Sequence, residues 1–257
     1  MTSKPHDSDL PKLLRLSDGA FVRQEVDNIG WVILGDHVAV VDALERPELE
    51  DEVFRLLAET TGGRPVRYVF NTHPHFDHVA LNAAFERRCG ARIIGAETQS
   101  IPATGLWFEG GGRRLLFLPL PGCHTAADCV AWLPEDGVLF VGDIFGWGLI
   151  PWDRPLTTQK KGEIVATYER LIAFAARHVV PGHGPCATTA ELRRWLDYLE
   201  TTCAAVKDAC ARGLSDDQVR NGAVPPPEDM CHWWRFCQWK HNDTLKKILH
   251  AVRNGRL

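Results

Sequence analysis

His73-Pro74-His75-Phe76-Asp77-His78 places three imidazoles and a carboxylate within six residues. The run follows a strand-like Val66-Arg67-Tyr68-Val69-Phe70 and precedes a helix-like Val79-Ala80-Leu81-Asn82-Ala83-Ala84-Phe85. Histidines two apart on an extended turn can converge on one metal ion, while Asp77 and His78, at a helix start, can face a second ion beside it. Three downstream residues have the type and setting to complete such a site: His124 in Pro-Gly-Cys-His-Thr, Asp143 in Phe-Val-Gly-Asp-Ile-Phe and His183 in Pro-Gly-His-Gly-Pro. His73, Asp143 and His183 each come just past a strand-like run, where loops carry chemistry on a rigid sheet.

Around this cluster the chain has 257 residues, 45% hydrophobic and 24% charged, enough to bury a substantial core. One α/β domain over 1–257 is expected, with a ligand-bearing core over about 20–185 and a helical part over 186–257. The formal charge of -4 and the pI near 6.3 supply no basic field for a nucleic-acid partner. The start is polar, and no stretch approaches the roughly 18 apolar residues of a membrane span. The expectation is therefore a cytoplasmic protein with a small-molecule substrate and no membrane partner; its oligomeric state is left open. Eight cysteines without a CxxC pair are expected to stay reduced. Cys203 and Cys210 share a helical face with Leu192, Trp195, Leu199 and Val206 and read as packing residues.

Apolar runs at Ala20–Val22, Trp31–Leu34 and Val38–Val41 predict a meander of buried strands. Pro47, the acidic residues 48–52 and the spacing of Leu49, Val53, Leu56 and Leu57 predict a first helix. Further strands are expected at Arg92–Ile94, Leu115–Leu118, Cys129–Leu133, Val138–Val141 and His178–Val180, with a loop at Gly110–Gly112. Helices are expected over Glu163–Ala176, from Thr188 to near Gly213, and around Leu245, Ile248, Leu249 and Val252.

The set His73, His75, Asp77, His78, His124, Asp143 and His183, in this order and strand context, resembles the metallo-β-lactamase-fold superfamily. Its hallmark is HxHxDH followed by a histidine, a bridging aspartate and a final histidine. The likeness runs from about Phe21 to Pro185. It implies a four-layer αβ/βα sandwich, two mixed sheets flanked by helices. It also implies that His73, His75 and His124 hold one ion, that Asp77, His78 and His183 hold the other, and that Asp143 bridges them. Two zinc ions are the default for such donors, with iron or manganese as alternatives. The implied chemistry is hydrolysis by a hydroxide held between the ions. Asp77 is expected both to bind an ion and to orient that nucleophile, and the leaving-group proton is assigned either to Asp77 or to a metal-bound water.

Departures from the pattern narrow the expectation to thioester, lactone or ester bonds. The zinc β-lactamases of the superfamily typically lack the bridging aspartate, so only weak promiscuous β-lactam turnover is expected. The site is glyoxalase II-like, yet Gly-His183-Gly184-Pro185 stands where glyoxalase II usually has Gly-His-Glu-Tyr, so a strict glyoxalase II is not expected. The spacing between Asp143 and His183 leaves no room for the inserted domain of the RNA-processing branch. Two rivals are a mononuclear iron enzyme of the persulfide dioxygenase type and a non-catalytic binding member of the fold. Trp107, Phe108, Trp147 and Trp152 are candidates for an aromatic substrate pocket, with core packing as the alternative. Cys123, in place of the usual glycine before His124, reads as a small buried residue, or else as a thiol near the ions.

Overall fold

The computed structural model describes residues 6–257, which group into two compact units. Unit 1 runs up to Ile144 and takes in Ala176–Thr188; unit 2 comprises Phe145–Ala175 and Thr189–Leu257.

Unit 1 holds both sheets. The first has six strands in chain order: β1 (Lys12–Arg15), β2 (Ala20–Gln24), β3 (Ile29–Leu34), β4 (His37–Val41), β5 (Val66–Phe70) and β6 (Arg92–Ile94). The meander β1–β4 is antiparallel, whereas β4, β5 and β6 run parallel through helical crossovers. The second sheet contains β7 (Leu106–Gly110), β8 (Arg113–Pro119), β9 (Cys129–Leu133), β10 (Val138–Gly142) and β11 (His178–Pro181), in the order β11-β10-β9-β8-β7. Only its β10–β11 pair is parallel. Two mixed sheets flanked by helices are the architecture read from the sequence.

The alternation of β4 shows how the layers form. Ala39 and Val41 point into the core shared with Phe117, Ala131, Leu133, Phe140 and Val180 of the second sheet. Val38 and Val40 point the other way, against Val53 and Leu57 of α1 (Glu50–Thr61) and Phe85 of α2 (Asn82–Cys89). Both faces of the strand are thus buried, which is why it reads as an unbroken apolar run. Each of the strand's three valines contributes roughly 1.5–3 kcal/mol by leaving water. The sheets approach closely at Gly30, where a Cβ would lie 2.1 Å from the Phe140 ring.

Several boundaries differ from expectation. The helix read from Val79 begins only at Asn82, because His75–Val79 is spent on a 3-10 turn in which the His78 N–H reaches the His75 carbonyl at 3.0 Å. Strand β1 was not expected from its mixed Lys-Leu-Leu-Arg pattern. Strand β7 hides beside the glycines: Gly110 closes the strand, and Gly111 and Gly112, with positive φ, make the turn.

Unit 2 is helical: α3 (Thr158–Ala173), α4 (Thr189–Ala211), the short α5 (Asp216–Gln218) and α6 (His241–Arg253). Helix α3 starts before the expected Glu163 because the Thr157 hydroxyl caps it, accepting from the Lys160 N–H at 3.0 Å. Tyr168 of α3 stacks on Trp195 of α4 at 4.0 Å. The loop after Phe145 is held by side chains on its carbonyls. Lys240 Nζ donates to Gly146 O at 2.9 Å, Thr244 Oγ1 to Gly148 O at 2.9 Å, Trp195 Nε1 to Leu149 O at 3.1 Å and Lys247 Nζ to Ile150 O at 3.0 Å. Among the described residues no helix is long and apolar enough to cross a membrane.

The expectation of fully reduced cysteines is overturned by a Cys231–Cys237 disulfide, with Cα atoms 5.3 Å apart. A search for CxxC spacing misses it, because the six-residue separation closes only when the loop doubles back through Arg235, whose φ is +56°. Closing so short a loop contributes about 2 kcal/mol. Within the loop Trp233, Trp234 and Phe236 are buried, so the aromatic segment packs inside unit 2. Cys203 is buried in α4 and Cys210 half-buried.

Candidate metal centre

All seven sequence-identified ligands come from unit 1, from four loops that leave strand ends. Strand β5 delivers Asn71-Thr72-His73 and the HPHFDH turn, β10 delivers Asp143, β11 delivers His183, and the turn before β9 delivers His124.

They form two groups that share Asp143: His73, His75, His124 and Asp143, and Asp77, His78, His183 and Asp143. In each group the donor atoms lie within 4.8 Å of one another. In the first, His75 Nδ1 is 3.1 Å from both His73 Nε2 and His124 Nε2. Asp143 Oδ2 faces the same pair of Nε2 atoms at 3.8 and 3.6 Å. In the second, His183 Nε2 stands 3.1 Å from Asp77 Oδ2 and 3.4 Å from Asp143 Oδ2, and His78 Nε2 stands 3.3 Å from Asp143 Oδ1.

These spacings fit metal ions. A tetrahedron on metal–nitrogen bonds of about 2.0–2.1 Å has edges of about 3.3 Å, the scale on which the donors are spread. His78 Nε2 and Asp143 Oδ1 are fully buried and have no hydrogen-bond partner. Leaving such atoms unsatisfied costs about 1–3 kcal/mol each, and a cation between them would satisfy both. Imidazole nitrogen with carboxylate oxygen is a donor set suited to divalent transition ions.

The charges in the protein alone agree. Burial holds the His73 imidazole neutral, down to about 2, with His78 adding to the effect. Burial also disfavours charge on His78 and His183, but the facing carboxylates win. Asp42 and Asp143 raise His78 well above its ordinary value, and Asp143 with Asp77 raises His183 to about 10. Against the opposing effect of burial, the same imidazoles hold Asp77 down to about 2 and Asp143 well below the usual carboxylate range. Two protons thus balance the acidic side of the second group, and a metal ion would have to displace them.

His78, His183 and His124 are aimed by further residues that were missed in the sequence. Asp42, just past β4 with φ +61°, takes His78 Nδ1 on Oδ2 at 3.0 Å and the Thr72 N–H on Oδ1 at 2.8 Å. His183 Nδ1 donates to Val26 O at 3.0 Å, and Asn28 Nδ2 spans the carbonyls of Pro181 and Gly184 at 2.8 Å each, fixing the His183 loop. Buried Asp128 accepts from the N–H groups of Cys123, His124 and Thr125 and from the Thr125 hydroxyl, building the turn that presents His124. Gly182 leaves the room the ligands occupy, since a Cβ there would stand 2.2 Å from Asp143 Oδ1 and 2.6 Å from His78 Cε1. Asp42 was within reach of sequence reading, for it follows an apolar strand just as Asp143 does.

Of the four aromatics proposed as a pocket, two fall in each unit. Phe108 of β7 packs 4.9 Å from Tyr68 and 4.8 Å from Phe70 in the inter-sheet core. Trp107, on the opposite face of the strand, is exposed beneath the Arg114 guanidinium. Trp147 is buried in unit 2 against Phe145 and Trp233, and Trp152 lies under Lys160 Nζ at 4.1 Å. Cys123 is fully buried beside His124. A cleft of about 210 Å³ does adjoin the ligands, lined by Asn71, His73, Pro74, Val79, Gly95 and Ala127 among others.

Comparison with known proteins accords with this geometry. The hydroxyacylglutathione hydrolase of Rhizobium etli is 31% identical over 125 residues, 46% of this chain and 47% of that protein. The Brucella anthropi protein of the same name is 32% identical over 142 residues, 51% of this chain and 53% of its own length. The chain therefore spans about half the length of these curated relatives. A longer match, 25% identical over 241 residues, covers 86% of the chain and 71% of the 2,4-dinitroanisole O-demethylase subunit beta of Nocardioides sp.. Among solved structures, a metallo-β-lactamase family protein from Thermus thermophilus superposes with a TM-score of 0.63 at 20% identity, covering 94% of this chain and 95% of that one. A sec-alkylsulfatase from Pseudomonas sp. gives 0.67 at 12% identity, covering 94% and 50%. At such identities the likeness is one of fold. The family profile described as the metallo-beta-lactamase superfamily matches residues 24–183, which contain all seven ligands, and the chain belongs to that superfamily.

Proposed function

We propose that the protein is a zinc-dependent hydrolase with a binuclear centre, acting on an ester-like bond of a small molecule, with thioester, lactone or ester bonds foremost. The observation that carries this reading is the pair of four-residue donor groups sharing Asp143. Two divalent ions there would supply a water of lowered pKa and Lewis acidity toward a carbonyl oxygen.

The chain's own residues set the geometry of that chemistry. His73, His75 and His124 offer three imidazole nitrogens on one side, while Asp77, His78 and His183 make the other. Asp143 spans both. Asp42 fixes His78 with Nε2 free to ligate, and the Val26 carbonyl does the same for His183, so the imidazoles need no reorganisation. Asp77 is half-buried and bonded to His183, placed to orient a nucleophilic water at the second group.

A second reading comes from the relative that matches beyond the ligand core into unit 2. Its name, 2,4-dinitroanisole O-demethylase subunit beta, raises cleavage of an activated aryl ether. The test is metal analysis and a substrate panel on the purified protein: thioesters, lactones, esters, a phosphodiester, a β-lactam and 2,4-dinitroanisole. Two zinc ions per chain with turnover of a carbonyl substrate is the expected result. Methanol release from dinitroanisole alone would favour the second reading. One iron with oxygen uptake would replace both with a dioxygenase, and inactivity of the zinc-loaded protein on every substrate would leave a binding member of the fold.

A further inference from the structure

The two donor groups form a bowl with a closed floor and an open rim. Side-chain exposure rises from 0% at His78 and 2% at His73 to 19% at Asp77 and 26% at His183. A molecule arriving from solvent therefore meets the rim formed by Asp77, His183 and half-buried His75 before the floor.

Phe76 lies in the chain between two of those rim residues, His75 and Asp77. It is 67% exposed, the most exposed of the large apolar side chains among the described residues, and both its chain neighbours are ligands. Exposed aromatic rings occur on many surfaces and by themselves signify nothing. This one differs in how it is held. The His78 N–H bonds to His75 O at 3.0 Å, the His78 carbonyl accepts from the Ala43 N–H at 2.8 Å and from Asn71 Nδ2 at 3.0 Å, and the His78 ring is tied to Asp42. The turn cannot roll over to bury Phe76 without dragging His75 and Asp77 out of their groups. Adjacent Cα atoms lie about 3.8 Å apart, so the Phe76 backbone is held one residue from a ligand of each group.

We infer that Phe76 is a specificity-determining residue, and that the substrate carries an apolar acyl chain or aromatic ring next to the bond presented to the centre, laid against the Phe76 face. The inference rests on the hydrolase reading for the nature of that bond, but it concerns recognition and is testable without turnover. The ring offers a rigid apolar surface at little entropic cost. Covering it with a chain of several methylenes is expected to tighten binding by about tenfold or more.

The experiment is titration calorimetry of the zinc-loaded protein with acetohydroxamic acid and octanohydroxamic acid, which share a metal-binding head and differ only in the chain. It is done for the wild type, Phe76→Ser and Phe76→Leu, each with its zinc content and melting curve. The wild type is expected to favour the octanoyl compound at least tenfold. Phe76→Ser is expected to lower that ratio by about tenfold and Phe76→Leu to keep most of it, with zinc content and melting curve as in the wild type. An unchanged ratio in Phe76→Ser, or no chain-length preference in the wild type, overturns the inference. Loss of zinc in Phe76→Ser that Phe76→Leu shares also overturns it, because the ring would then be holding the turn. A preserved preference in a protein that cleaves no ester would sink the hydrolase reading and leave Phe76 in place. Ester cleavage indifferent to chain length would do the reverse.

Discussion

The two units bury polar groups for opposite ends. In unit 1 they are crowded and incompletely satisfied: His78 Nε2 and Asp143 Oδ1 have no hydrogen-bond partner, and imidazole nitrogens face one another at 3.1 Å. In unit 2 they are matched one to one, with Lys240, Thr244, Trp195 and Lys247 each donating to a carbonyl of the 146–150 loop. Crowding of that kind opposes the fold and favours a ligand, whereas matching favours the fold alone. Buried polarity therefore marks a site only where the protein leaves its valences open.

The hardest blow to this contrast is Asp143→Ala. Losing the carboxylate common to both groups is expected to lower metal content from two ions to at most one. It should reduce hydrolysis about a thousandfold, the equivalent of several kcal/mol of transition-state stabilisation. The melting temperature of the metal-free protein should hold or fall only slightly, since without Asp143 the buried His78 and His183 can shed the protons it holds on them. A large fall in metal-free stability, measured by thermal denaturation, would mean that Asp143 serves the fold as the unit 2 groups do.

Asp42→Asn sharpens the comparison at one remove from the ligands. The amide keeps an acceptor for Thr72 but loses the charge that holds the proton on His78 Nδ1. Partners of this kind typically govern about 10–100-fold in metal affinity, and a drop of about that size is expected. Competition with a chromophoric chelator would measure it, and it should fall on the second ion only, the His73–His75–His124 group keeping its metal.

These polar networks were unequally legible in the sequence. The ligands could be read because His73, Asp143 and His183 each come just past an apolar run that needs no long-range information: strand Val66–Phe70 is found at its expected ends. Of the residues that aim the ligands, Asn28 and Val26 could not be read, because their meaning lies in contacts across more than a hundred residues, as between Asn28 and Pro181; Asp128 acts locally but in a turn without periodicity. Trp107 and Phe108 misled for a related reason. Two adjacent aromatics look like one wall, but on a strand they point to opposite faces, and the strand itself was masked by its glycines. Phe76 was passed over inside the very motif that identified the site, since type and spacing say nothing about which way an apolar ring will be forced to face. In unit 2 the disulfide and the carbonyl clasps lie in irregular backbone, where periodicity carries no signal.

The smallest effect concerns the matched network of unit 2 and acid. His241 is buried between the Tyr198 hydroxyl at 2.9 Å on Nδ1 and the Val224 carbonyl at 3.0 Å on Nε2. A neutral ring satisfies both, accepting from tyrosine and donating to the carbonyl; a protonated ring would turn an N–H toward the Tyr198 oxygen and remain buried with its charge. Burial accordingly lowers the His241 pKa below its ordinary value of 6.5, although the Val224 carbonyl works the other way. The unfolded chain takes up its proton first as pH falls. The contribution of His241 to stability is therefore complete above about pH 6.5 and is lost progressively below it, at no more than about 1.4 kcal/mol per pH unit. His241→Gln should be less stable than wild type at about pH 8, yet the gap should narrow between about pH 6.5 and 5, as followed by urea denaturation of the metal-free proteins. His73, likewise held neutral by burial, titrates in both proteins and cancels in the difference. A gap that widens as the pH falls would mean that His241 holds its proton more tightly in the folded state, and that unit 2, like the metal centre, keeps a buried charge.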